Sequence, residues 1–277
     1  ELLLADQPKK DISHDSKSDF WNWIDKIEIK NDRFPKKTPC QPDTSHPSMA
    51  VNLDACIQCN LCVRACREVQ VNDVIGMAYR GKESKIVFDF DDPMGDSTCV
   101  ACGECVQACP TGALMPSSIV DEKGIGHSEV DKKINSVCPY CGVGCQIEYN
   151  VKNNKIKYVN GEDGPANKNR LCVKGRFGFD YVSNPERLTK PLIRIKGKGK
   201  DLHPKINHSN INEYFKEATW EEALDFSAKG FNILKQKRNT KSNMAGFGSA
   251  KCSNEEAYLF QKLIRTGLNT NNVDHCT

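Results

Sequence analysis

No stretch of this 277-residue chain approaches the roughly 20 consecutive apolar residues that a bilayer-crossing helix needs. Mean hydropathy is −0.57, so no membrane span is expected. A surplus of one charge sign is missing as well. The net charge is only +3 and the lysines and arginines are scattered, which argues against nucleic acid as a partner. An initiator methionine is absent: the chain starts at Glu1 and opens as if mid-helix with Leu2, Leu3 and Leu4. It is expected to be a fragment or processed piece, so the lack of a signal peptide carries no information about targeting. With 38% hydrophobic and 27% charged residues, it suits a soluble protein of two or more small domains.

Cysteine is what the sequence has in excess, with fifteen residues. A secreted disulfide scaffold is usually short and spreads its cysteines, whereas here most fall in runs separated by two or three residues. That spacing is too close for most of them to pair with each other. Metal ligation by thiolates is expected, in a reducing compartment such as the cytoplasm.

Residues 1–50 are a polar segment with one amphipathic stretch around Phe20, Trp21, Trp23, Ile24 and Ile27, ending in a linker rich in proline (Pro35, Pro39, Pro42, Pro47). Residues 51–120 hold an internal repeat. The segment 56–66, CIQCNLCVRAC, aligns with 99–109, CVACGECVQAC, with all four cysteines, one valine and one alanine coinciding. A repeat this close implies a pseudo-twofold domain. Between its halves, 85–90 reads as a strand and 91–95 as a turn. Residues 121–135 read as a charged connector, and 136–190 as a third unit with cysteines, containing short strands near 145–151 and 156–159. Residues 195–212 form a loop rich in Lys, Gly and Asn. Thr219 and Glu222 then make a capping box that opens a helix. A glycine-rich turn at 245–249 and a second helix over about 254–265 complete the order expected at the start of an α/β domain in 191–277, cut off at Thr277.

The repeat is C-x2-C-x2-C-x3-C, twice. Three cysteines within seven residues can wrap three corners of one cubane, while the fourth is carried by a helix to the other cluster. Cys56, Cys59, Cys62 and Cys109 are therefore assigned to one [4Fe–4S] cluster, and Cys99, Cys102, Cys105 and Cys66 to the other. Pro110 follows Cys109 in the usual way; Arg67 replaces it after Cys66. Zinc is the alternative, although zinc ligands come more often as two separated pairs. The third set, Cys138, Cys141, Cys145 and Cys172, has the spacing C-x2-C-x3-C-x26-C. Four thiolates from two loops suit one further cubane, with zinc again the alternative.

Residues 138–172, followed by VKGRFG at 173–178, strongly resemble the N-terminal cluster domain of the molybdenum/tungsten bis-pterin oxidoreductases. With a two-cluster ferredoxin domain in front, the combination looks like the catalytic alpha subunits of NAD-dependent formate dehydrogenases. The segments 248–256 and 270–277 are similar to that family's pterin-contacting turn and the approach to its metal ligand. The resemblance implies an α+β fold: a two-cluster ferredoxin-like domain, a [4Fe–4S] cluster domain and the truncated start of an α/β catalytic region. It implies three [4Fe–4S] clusters and, in the full-length protein, a Mo or W bis-molybdopterin guanine dinucleotide that oxidises formate to CO2. It also implies a flavin- and NAD-binding beta subunit as partner, and leaves open a small iron–sulfur gamma subunit. Electrons would run from the pterin centre to the cluster on Cys138, then to the ferredoxin pair. Lys174 matches the family's lysine between cluster and pterin and is the expected electron relay. Gly248, Ser249 and Asn254 match the turn that contacts the pterin nucleotide.

Two other readings stand beside this one. An assimilatory nitrate reductase shares the third cluster but usually lacks the paired ferredoxin domain. A purely electron-transferring subunit of an NADH dehydrogenase would give Lys174 and the 249–254 turn no ligand. Cys40 is expected to be a bystander, and His14 and His46 lack the three cysteines of an upstream cluster. Cys252 and Cys276 are expected to be buried structural thiols. The family's Cys or selenocysteine ligand falls about four residues beyond Cys276, so the 277-residue chain alone is expected not to oxidise formate.

Overall fold

A computed structural model of the chain describes residues 1–36, 38–199, 205–236 and 244–276. Part of the loop read over 195–212, and Thr277, lie outside the described residues. The chain divides into two units, Glu1–Phe179 and Asp180–Thr277.

The first unit opens with short helices α1 (Leu2–Ala5) and α2 (Asp19–Lys26). In α2 the apolar residues fall on one side of the turn, and Phe20 and Trp21 bury there with Leu4, Ile24, Ile29 and Ile57. This segment is tied down by its polar groups too. Gln7 Nε2 donates to the Ala55 carbonyl at 3.0 Å, and His14 Nδ1 meets the Gly124 carbonyl at 2.7 Å.

The cysteine repeat follows as two matched halves. Strand β1 (Met49–Val51) leads through the first loop to α3 (Leu61–Arg64), then to β2 (Ile75–Ala78). Strand β3 (Lys85–Phe88), α4 (Glu104–Ala108) and β4 (Leu114–Pro116) repeat the order. The first strand pairs with the last, antiparallel, while β2 and β3 form a hairpin at the centre of the sequence. One core runs through both halves, with Met49, Val63, Ile75, Phe88 and Met94 packed around Cys62, Cys66 and Cys105.

The third cysteine segment is carried by an antiparallel sheet of β5 (Lys132–Val137), β6 (Gln146–Lys152) and β7 (Lys155–Gly161), followed by helix α5 (Val173–Phe177). The connector read over 121–135 thus ends in a strand. All six residues of β5 are exposed, so the strand lacks the alternation of apolar and polar residues that would have marked it.

In the second unit, β8 (Leu192–Arg194) pairs antiparallel with β9 (Phe215–Glu217). Helix α6 (Trp220–Gln236) starts on the expected capping box: the Glu222 carboxylate accepts from Thr219 N at 2.8 Å, and Thr219 Oγ1 accepts from Glu222 N at 3.1 Å. Strand β10 (Gly246–Gly248), helix α7 (Asn254–Lys262) and strand β11 (Val273–His275) form a β–α–β unit with parallel strands. Among the described residues, no helix is long and apolar enough to cross a membrane.

Candidate metal centres

The two repeat loops adopt the same backbone. Gln58 and Ala101 both have φ of 55°, while Asn60 (61°) and Gly103 (70°) also occupy the left-handed region. This tight curl turns backbone N–H groups inward. Gln58 N donates to Cys56 Sγ at 3.4 Å, and Ala101 N to Cys99 Sγ at 3.4 Å. Such sulfur-directed donors stabilise thiolate character.

The fourth thiol of each run crosses to the other half. Cys56, Cys59, Cys62 and Cys109 line one cavity together with Leu53, Ile57, Ile86, Pro110 and Leu114. Burial pushes the Cys62 thiol up to about 12, and the adjacent Cys109, Cys56 and Cys59 push it the same way. On the other side burial raises Cys105, and Cys102, Cys99, Cys62 of the first set and Cys66 push it the same way; Cys66 likewise raises Cys102. Cys99 is likewise raised by burial, with Cys102 and Cys66 beside it. Cys66 lies in a π-helical turn (Ala65–Val69), where Val74 N donates to its sulfur at 3.3 Å. Cys109 instead sits just past the end of α4, before Pro110, with its sulfur 3.6 Å from Thr111 Oγ1.

The third set also gathers. Burial raises the Cys145 thiol, as do Cys138, Cys141 and Cys172 around it. Helix α5 begins directly after Cys172, and its Gly175 packs beside Leu171 and Cys138 Sγ. The Tyr140 hydroxyl donates to the Gly178 carbonyl and fastens the 138–141 loop to the end of that helix. Cys138 is buried, while Cys172 is exposed. In the repeat, Cys62, Cys66 and Cys105 are buried and Cys59 is exposed.

None of the fifteen cysteines is joined in a disulfide. Among the described residues, no three His, Cys, Asp or Glu side chains close on a point for a single ion. The first four thiols surround a space lined by apolar side chains. Thiols that raise one another by proximity favour a bound cationic group, which removes their mutual repulsion and releases their protons. An all-sulfur donor set in an apolar cage fits an iron–sulfur cluster.

Lys174 is exposed on α5, two residues after Cys172. Gly248 ends β10, Ser249 opens the turn, and Asn254 is the first residue of α7. Ser253 caps that helix through Glu256 N at 3.2 Å, while the Glu256 carboxylate accepts from Ser253 N at 2.8 Å. Cys276 was expected to be buried, but it is exposed at the end of β11. Its sulfur accepts from Ala250 N at 3.4 Å and lies 3.9 Å from Ser249 Oγ. Those contacts hold its thiol below the usual value, the Ala250 N–H most of all. Cys252 is half-buried.

Arg176 has no role in the sequence reading beyond its place in the 173–178 motif. In the structure it is a centre of contacts, and Gln107 joins it. The signal was present in the repeat itself: Gly103 stands where the first half has Asn60, and asparagine already tolerates a left-handed turn. The exchange of Asn60 for Gly103 therefore marks a need for space in addition to the left-handed turn.

Three family profiles match the chain in sequence. Residues 55–113 match "4Fe-4S dicluster domain", 131–184 match "Molybdopterin oxidoreductase Fe4S4 domain" and 187–277 match "Molybdopterin oxidoreductase". A Bacillus subtilis (strain 168) protein named "Probable oxidoreductase YjgC" is 35% identical over 92% of this chain. A Staphylococcus aureus (strain USA300) protein named "Putative formate dehydrogenase" is 32% identical over 87% of it. The chain spans 28% and 26% of the length of these two relatives. Among solved structures, an NAD+-reducing [NiFe]-hydrogenase in the H2-reduced state is similar over 42% of this chain and 51% of its own, with 22% identity and a TM-score of 0.39.

Proposed function

We propose that this chain, which carries iron–sulfur and molybdopterin-oxidoreductase domains, is the electron-transferring and partly cofactor-binding portion of a formate dehydrogenase alpha subunit. When bound, three [4Fe–4S] clusters would supply one-electron transfer, and a Mo or W bis-pterin centre the two-electron oxidation of formate. The observation that carries the reading is the crossing of the repeat. Cys109 joins Cys56, Cys59 and Cys62 around one cavity, and Cys66 falls beside Cys99 and Cys102. Two linked thiol sets inside one core hold two redox groups at a fixed spacing, as a relay requires.

The third set, Cys138, Cys141, Cys145 and Cys172, extends the row. Lys174 presents an ammonium group next to it, where a cation lowers the energy of an electron in transit. Gly248, Ser249 and Asn254 form a turn of small residues leading into a helix, where backbone N–H groups can approach a phosphate of the pterin nucleotide. The formate assignment draws on the Staphylococcus relative's name and on the resemblance of 138–178. A flavin- and NAD-binding partner subunit completes the proposal.

Reconstitution of the chain with iron and sulfide should yield about 12 of each, four for each of three cubanes. Zinc alone, or iron for a single cluster, would sink the reading. In the whole protein, Mo or W content and a comparison of formate with nitrate turnover test the catalytic assignment. Nitrate reduction without formate oxidation would reject it.

A further inference from the structure

The halves of the repeat agree at their thiols and differ between them. Asn60, Leu61 and Arg64 in the first half correspond to Gly103, Glu104 and Gln107 in the second. All three second-half residues face one side chain. Arg176, on α5, is only 2% exposed. Its Nε donates to the Cys102 carbonyl at 2.9 Å, Nη1 to Gln107 Oε1 at 2.7 Å, and Nη2 reaches Glu104 Oε2 at 3.3 Å. Gly103 makes the room, since a Cβ there would lie 2.7 Å from Arg176 Nε and 2.8 Å from Phe177 Cζ. Gln107 extends the contact by accepting from Gly161 N at 3.1 Å and donating to the Asn169 carbonyl at 3.2 Å. The first-half counterparts make no such connection: Leu61 is exposed, and Arg64 turns to Glu68 at 3.1 Å.

One guanidinium therefore bridges the helix after Cys172 to the loop that carries Cys99, Cys102 and Cys105. An apolar side chain would dock two elements at lower desolvation cost than a buried ion pair. A cation in this place acts on what the loop holds. We propose that Arg176 is a positioning residue that fixes the third thiol set against the second, and that its buried charge raises the reduction potential of the cluster held by Cys66, Cys99, Cys102 and Cys105. The proposal rests on the cluster assignment above. Glu104 partly offsets the charge, so removing the cation and removing the anion should move that potential in opposite directions. A purely structural bridge has no such sign.

The test is an EPR-monitored redox titration of the reconstituted chain, with iron and sulfide analysis of each sample. Arg176→Met should lower the reduced-to-oxidised ratio of one cluster about tenfold at fixed potential, a shift of about 59 mV for one electron. Glu104→Gln should raise the ratio of the same cluster, and Arg176→Lys should stay within about twofold of the parent. Should Arg176→Met not retain its iron, an upward shift in Glu104→Gln alone still supports the proposal. Iron-replete Arg176→Met or Glu104→Gln chains that titrate at the parent potential, or that shift in the same direction, overturn it. A parent chain with no iron–sulfur signal would instead reject the cluster assignment, and this proposal with it.

Discussion

Arg176 lies where a side chain on Gly103 would have to be, with its Nε 2.7 Å from that Cβ position. Gly103 also has φ of 70°, so an alanine there meets both a strained backbone and an occupied space. Gly144, with φ of 68° and nothing within 4 Å, meets only the first. Gly144→Ala should cost about 1–2 kcal/mol for the left-handed conformation alone. Gly103→Ala should add about 1–3 kcal/mol of overpacking. Thermal melting checks the difference, and equal losses would mean that Arg176 can swing aside freely.

Cys66→Ser should disable the site formed with Cys99, Cys102 and Cys105 and spare its own sequence neighbours. Cys66 lies beside Cys99 and Cys102 of the second set, whereas Cys109 completes the first. Iron should fall by roughly a third, one cubane of three. Loss of the EPR signal belonging to Cys56, Cys59 and Cys62 would reverse the assignment.

Alkylation of the iron-free chain should rank its thiols by exposure and thiolate character. Cys276 is exposed, and the Ala250 N–H holds its thiol low, so it should react first. Cys59 and Cys172, also exposed, should follow. Cys62, Cys66, Cys105 and Cys138 are buried and should react last. Peptide mass mapping over time reads the order directly, and early labelling of Cys105 would contradict the packing described.

The central hairpin carries an acid-sensitive clamp. Lys85 Nζ lies 2.8 Å from Asp91 Oδ1, and the Tyr79 hydroxyl donates to Asp91 Oδ2 at 2.9 Å. The Lys85 contact, helped by Tyr79, holds the Asp91 carboxyl below its ordinary value in the folded chain. The unfolded chain takes up that proton at higher pH, so the contribution is complete above the unfolded pKa of about 3.9 and lost as pH falls through the folded value. Its size is below about 1 kcal/mol, because the groups are partly solvated. Asp91→Asn should flatten that part of the urea-midpoint profile, and an unchanged acid limb would show the clamp to be inert.

How much of this could be read from residues alone follows from range. Thr219 and Glu222, or Ser253 and Glu256, form their caps within one turn, and sequence neighbours suffice to predict them. The repeat announces its own symmetry, because six identities fall at fixed spacing. The exposed strand 132–137 left no pattern to read. In the polar beginning of the chain only the amphipathic stretch around Phe20 to Ile27 was legible, whereas Gln7 and His14 are buried by partners 48 and 110 residues away. Arg176 belongs to the same class: its partners are 69 to 74 residues distant. Only the mismatches inside the repeat hinted at them.

Those mismatches bear on direction. Two identical stations joined by a twofold axis would pass an electron either way with equal ease. The pattern is not obeyed in full: a Val74 N–H rests on Cys66 sulfur and an arginine on the Cys102 loop, while the opposite site has a Thr111 hydroxyl near Cys109 and apolar packing on Ile57. Hydrogen bonds and charge near sulfur set the potential of a bound cluster. On the proposed assignment, with a cluster in each site, the near-symmetric pair would become a step, and a step would give traffic a preferred way to run.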